Sequence, residues 1–171
     1  MTSSDKKSTE AFTKKMQFAV VGGGVIGGGW VARFLLMGSD VKIFDPDPEA
    51  PRKIDEVLSN ARRSLPALYE HALPPEGSLS FVNSISEAVD GSDWVSECVP
   101  EQLKLKHSVM AKIQSHCPKS AIIASSTSGF KPSELQQGSD NPQQIIVAHP
   151  FNPVYLLPLV ELVGNITTVD R

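Results

Sequence analysis

The sequence predicts an α/β fold with a doubly wound, mainly parallel sheet. Three observations predict it. Short β-branched apolar runs alternate along the chain with helix-patterned stretches. The first run, Phe18-Ala19-Val20-Val21, stops abruptly at Gly22-Gly23-Gly24, and a helical pattern follows. The second, Val41-Lys42-Ile43-Phe44, ends on Asp45, eighteen residues past Gly27.

The strand, turn and helix that open this pattern carry the first motif. Gly22, Gly24 and Gly27 fit G-x-G-x-x-G, with Gly23, Val25 and Ile26 between them. Gly22 makes the turn, Gly24 lets the backbone approach a pyrophosphate, and Gly27 lets the helix lie close on the strand. Free N–H groups and the positive end of the helix dipole then face the phosphates. Ile26, Trp30, Phe34 and Leu35 give the helix its apolar stripe. Glycine-rich loops are common, so the context is what makes the motif informative. Asp45 lies near the ~20-residue spacing of the acid that takes the ribose hydroxyls. It also opens Asp45-Pro46-Asp47-Pro48, a turn-forming run, and the two roles are compatible. A carboxylate there repels a 2′-phosphate, and the next arginine, Arg52, falls in the following helix. The reading is a Rossmann-type domain for NAD rather than NADP.

Residues 49–71 follow as a helix with Ile54, Val57, Leu58, Ala61, Leu65 and Leu68 on one side. Pro66 breaks it unless it opens a new first turn. Residues 72–78 are a loop, and Leu79-Ser80-Phe81-Val82 is a third strand. Ser84 and Glu87 have capping-box spacing for a short helix. Asp93 to Val99 is the fourth strand, and Pro100 fits the first turn of a helix from about Glu101 to His116. Ala121 to Ala124 is the fifth strand, followed by the polar loop Ser125 to Gly129. Pro132 opens a short helix. Gln144 to His149 is the sixth strand, Pro150, Pro153 and Pro158 keep the next segment extended, and Leu159 to Val163 is the last strand. In such sheets ligands bind beyond the carboxyl ends of the strands. Gly22, Asp45, Cys98, the loop with Ser126, and His149 therefore converge on one crevice.

The bulk numbers exclude several classes. The 171 residues suit one domain, and 40% apolar with 20% charged residues is ordinary globular composition. A net charge of −3 gives no case for nucleic acid or anionic membranes. No apolar run approaches the ~20 residues of a membrane span. Cys98 and Cys117 lack metal spacing and are too few for a disulfide framework, so reduced thiols in a cytoplasmic protein are expected. Residues 1–15 are polar, with no apolar core of a signal, and read as a disordered tail ahead of a domain at 16–171.

Glu161 is the oddity, because it sits among apolar residues in Leu159-Val160-Glu161-Leu162-Val163. A buried carboxylate needs a partner. His149, at the end of the preceding strand, is the natural one, and a histidine held by a carboxylate suits a general base. A solvent-facing glutamate on an edge strand and a core histidine are the alternatives. His71, His107 and His116 lie on helices among polar groups and are expected to be solvated.

Four motifs together resemble a family. They are Gly22-Gly23-Gly24-Val25-Ile26-Gly27, Val99-Pro100-Glu101-Gln102-Leu103-Lys104-Leu105-Lys106, Ser125-Ser126-Thr127-Ser128, and His149-Pro150-Phe151-Asn152-Pro153 with Glu161. They are similar to the 3-hydroxyacyl-CoA dehydrogenase superfamily, over residues 17 to about 165. Within it the chain most resembles the branch that oxidises the 3-hydroxyl of L-carnitine. Acyl-CoA members carry Phe where this chain has Pro150, which points away from a CoA thioester. The resemblance implies roles. His149 takes the hydroxyl proton, Glu161 orients it, Ser128 hydrogen-bonds the reacting oxygen and Asn152 supports the site. Glu101 and Lys106 line the nicotinamide-ribose region. It also implies a second, mostly helical domain that closes the cleft and forms a homodimer. The chain stops at Arg171, where that domain would begin. The expectation is a cofactor domain with little turnover alone and an exposed apolar face. Competing expectations are a dehydrogenase of another 3-hydroxy acid and a non-catalytic NAD(H)-binding module. The intact His149, Glu161, Ser128 set favours an enzyme.

Overall fold

The computed structural model describes residues 16–168, and the expected tail lies outside them. Seven strands form one sheet in the order β3-β2-β1-β4-β5-β6-β7. They are β1 Gln17–Val21, β2 Asp40–Phe44, β3 Leu79–Phe81, β4 Trp94–Glu97, β5 Ile122–Ser125, β6 Ile145–Pro150 and β7 Val160–Val163. The first six run parallel, and β7 runs antiparallel to β6. The helices are α1 Val25–Leu36, α2 Ala50–Ser64, α3 Ile85–Val89, α4 Leu103–Gln114 and α5 Pro132–Leu135.

The doubly wound arrangement follows from how β1 is buried. Ala19 and Val21 belong to one core, with Val95, Ile113 and Ile123. Val20 belongs to the other, with Val31, Leu35, Ile43 and Ile54. Successive side chains of a strand point to opposite faces, so a strand apolar at every position needs cover on both sides. The order of the sheet reverses between β2 and β4, on either side of β1. That switch point opens the crevice.

Several local expectations hold. Pro66 opens a 3-10 segment, Leu65–Leu68, directly after α2. The Ser84 hydroxyl accepts the Glu87 N–H at 3.2 Å and caps α3. Two expectations are corrected. The fourth helix starts at Leu103 rather than Glu101, with Gln102 extended at its N-cap. Pro100 and Glu101 lie in the turn before it, closed by the Gln102 N–H on the Pro100 carbonyl at 2.7 Å. The segment from Pro150 to Pro158 is not extended throughout. It turns at Pro153, whose carbonyl accepts the N–H groups of Leu156 and Leu157. Proline's fixed φ suits a turn as well as an extended chain. Val154 is buried in this turn against α1, where a Cβ on Gly29 would come within 2.8 Å of it. Around β7, Leu157, Leu159, Leu162, Val163 and Ile166 are exposed apolar residues.

Candidate active site

The glycine loop is shaped by close backbone approach. Gly22 has φ +100°, and a Cβ on it would lie 2.6 Å from the Cys98 carbonyl oxygen at the end of β4. A Cβ on Gly27 would overlap the Gly22 carbonyl, so α1 can leave the loop only with glycine there. A Cβ on Gly24 would meet nothing within 4 Å. The tight side of the loop is therefore packed and the Gly24 side is open. Val25 is exposed at the start of α1, whereas Ile26 packs into the core.

Asp45 closes the loop from β2. Its Oδ2 accepts the Gly23 N–H at 2.5 Å, and its Oδ1 accepts the Asp47 N–H at 2.7 Å. The turn role is thus realised, and the same carboxyl faces a cleft of about 500 Å³. Gly22, Gly24, Asp45 and Cys98 line this cleft, with Phe44, Ile85, Leu105 and Val109 as its apolar wall. An open glycine cradle at a helix N-terminus, a carboxylate at its rim and an apolar wall fit a dinucleotide. Burial pushes the Cys98 thiol up to about 12, against the hydrogen bond with Ser126, so the sulfur is a neutral wall group. The Ser126 hydroxyl accepts the Trp30 indole N–H at 3.0 Å and lies 3.4 Å from the Cys98 sulfur.

The second centre lies across β6 and β7. Register places His149 directly opposite Glu161. Directly paired residues share a face of the sheet. His149 Nδ1 lies 3.0 Å from Glu161 Oε2. This bond assigns the Nδ1 proton, which leaves Nε2 as the acceptor of the neutral ring. The expected cause is corrected: the Glu161 side chain is 60% exposed, and that of His149 33%. Glu161 is an edge-strand carboxylate that meets its histidine through register, not through burial. Ser128 lines the same cavity of about 330 Å³ with Thr127, Lys131, His149 and Glu161. Asn152 is exposed beyond β6 and is not in that lining.

Lys106 differs from its expected place. Its side chain is 1% exposed, and its ammonium is engaged inside the protein. Nζ donates to both oxygens of Glu97 at 2.9 and 3.2 Å and to the Val99 carbonyl at 3.1 Å. It also pairs with Glu101 Oε2 at 3.3 Å. Lys106 thus stands beneath the crevice wall rather than on it. Glu101 reaches the surface and accepts the Thr127 hydroxyl and the Gly129 N–H on Oε1. Desolvation works to raise the Glu101 pKa, but Thr127, Lys106 and Gly129 outweigh it, and the net shift is downward. Glu97 is the residue that sequence reasoning missed. A charge inside a strand buried on both faces, with a lysine nine residues later, was the available signal.

The remaining histidines stay apart from both centres. His107 binds the Glu134 carbonyl at 2.7 Å, His116 binds the Lys112 carbonyl at 2.9 Å, and His71 is exposed beyond the helix expected to hold it. Among the described residues no cluster of His, Cys, Asp and Glu could hold a metal ion, and no helix is long and apolar enough to cross a membrane.

Comparison with known proteins agrees with this construction. Residues 17–171 match the family described as 3-hydroxyacyl-CoA dehydrogenase, NAD binding domain. A Ruegeria pomeroyi protein named L-carnitine dehydrogenase/betainyl-CoA thioesterase is 66% identical over 145 residues, covering 85% of this chain and 30% of that protein. A Mesorhizobium japonicum L-carnitine dehydrogenase is 56% identical over 148 residues, covering 86% of this chain and 41% of that protein. The chain therefore spans between about a third and two fifths of these relatives. The structure of a 5-formyl-3-hydroxy-2-methylpyridine 4-carboxylic acid 5-dehydrogenase superposes with TM-score 0.81 at 33% identity, over 90% of this chain and 50% of that one. Escherichia coli 3-hydroxybutyryl-CoA dehydrogenase shares the fold at TM-score 0.78 and 22% identity, over 91% of this chain and 34% of that one. The glycine cradle, the switch-point crevice and the match over nearly all the described residues lead to one conclusion: the chain belongs to the 3-hydroxyacyl-CoA dehydrogenase family, as its NAD-binding domain.

Proposed function

We propose that this chain is the cofactor-binding and His/Glu-bearing part of an NAD-dependent L-carnitine dehydrogenase, which oxidises the 3-hydroxyl of L-carnitine to the ketone. The observation that carries the reading is the His149–Glu161 pair at 3.0 Å, in one cavity with Ser128. The names of the Ruegeria and Mesorhizobium relatives support the substrate. When bound, NAD supplies the acceptor for the hydride that leaves C3. Nε2 of His149 accepts the hydroxyl proton. Glu161 holds the opposite ring nitrogen and balances the imidazolium that forms. The Ser128 hydroxyl donates to the reacting oxygen. Asn152 supports the site from just beyond Pro150. Gly22 to Gly27 take the pyrophosphate, and Asp45 takes the adenosine ribose. Cys98 and Ser126 form the wall between the two centres, with Glu101 on the nicotinamide side. Two free thiols, Cys98 and Cys117, favour the cytoplasm. The assembly proposed is a homodimer made through a second, helical domain.

The test uses a protein in which this chain is followed by the second domain expected of the family. It should form NADH with L-carnitine, and His149→Ala should lower turnover at least about 100-fold while NADH still binds. Oxidation of 3-hydroxybutyryl-CoA with none of L-carnitine would refute the substrate. Parallel loss of NADH binding in His149→Ala would refute the role of the histidine.

A further inference from the structure

Glu97 and Lys106 are a buried ion pair that the proposed chemistry does not use. Glu97 is 0% exposed and saturated: it accepts the Val99 N–H at 2.9 Å, the Lys106 ammonium on both oxygens, and the Ser125 hydroxyl. A buried pair of this kind is a poor source of stability, because desolvating two charges offsets most of their attraction. What it does supply is position. Lys106, in the first turn of α4, leaves one contact for Glu101 at 3.3 Å. Glu101 in turn holds the Thr127 hydroxyl and the Gly129 N–H. The Thr127 hydroxyl oxygen accepts the N–H groups of Gly129 and Phe130, each at 3.2 Å. The relay runs from the carboxyl end of β4, through α4, to the loop that carries Ser128 into the cavity with His149.

We propose that Glu97 is a positioning residue: through Lys106 and Glu101 it fixes the 127–130 loop, and with it the Ser128 hydroxyl. This rests on the reading of Ser128 as the group that meets the reacting oxygen. The loop has few backbone bonds of its own, so its order depends on these side chains.

The test is amide hydrogen exchange on the 171-residue chain, with an NADH titration of the same samples. Glu97→Gln/Lys106→Met removes both charges together, which avoids a lone buried charge. Gly129 and Phe130 should exchange at least tenfold faster, while the amides of Val20 and Ile123 in the core strands keep their protection. Glu101→Gln cuts the same relay at its outer end, at the contact with the Lys106 ammonium, and leaves the Glu97–Lys106 bonds in place; it should loosen the same two amides if the double variant does not fold. Unchanged exchange at Gly129 and Phe130, or a rise only in step with Val20 and Ile123, would overturn the proposal. Failure of the wild-type chain to bind NADH would remove the reading of the crevice and leave the exchange result standing on its own.

Discussion

At Gly22–Gly27 the crevice is made of backbone; at His149–Glu161 it is made of side chains. The first region is closed on one side by steric contact, with Gly22 against the Cys98 carbonyl and Gly27 against Gly22. Asp45 pins it by accepting backbone N–H groups. The second region spans β6 and the edge strand β7, and one ladder register brings its two residues together. The comparison teaches how each region can fail. The packed side of a backbone cradle has no slack, so a single methyl at Gly22 or Gly27 breaks it. A pair set by register can lose either partner while the sheet beneath stays intact.

The largest effect should follow from Gly27→Ala. The new Cβ overlaps the Gly22 carbonyl, and the backbone there must move. Overpacking of this kind costs about 3 kcal/mol. Both the melting temperature and NADH binding should fall, and a variant that binds NADH like the wild type would show that the loop has slack after all. Asp45→Ala should be milder. It removes the acceptors for Gly23 and Asp47, and charged acceptors contribute about 1.5–3 kcal/mol each. NADH binding should weaken roughly tenfold or more, and the preference over NADPH should shrink. Isothermal titration with both cofactors measures this, and an unchanged preference would remove the ribose role. The smallest effect concerns Cys98. Its thiol is pushed from 9.0 up to about 12 by burial, so it is neutral at pH 8 and should alkylate far more slowly than a free thiol. Because the folded-state value is raised, the stability tied to it is complete below pH 9 and is lost as pH rises from there toward about 12. Alkylation at pH 8 as fast as a model thiol would place the sulfur in solvent instead of in the wall.

The sequence made these two regions legible to different degrees. Backbone geometry dictates glycine at fixed spacing, so the cradle and Asp45 could be read directly, down to the turn at Asp47. The His149–Glu161 pair could be named, but the physical reason differs. Burial was the expected cause, and register is the observed one, because single-strand patterning says nothing about which residues face each other across a ladder. Lys106 shows the limit most plainly. Its motif suggests a ligand-facing lysine, yet its charge is matched by Glu97, a partner on another element whose local signal is a lone charge in a buried strand. The turn at Pro153 was hidden for a similar reason. Its conformation is decided by Val154 docking on the bare surface of α1 at Gly29.

The measurement that tests the account most directly is a fluorescence titration of the 171-residue chain and its His149→Ala variant with NADH. If the cradle binds the cofactor and the exposed pair is a separate chemical centre, both proteins bind NADH saturably and with equal affinity. Failure of the wild-type chain to saturate, or a tenfold loss of affinity in His149→Ala, would contradict it.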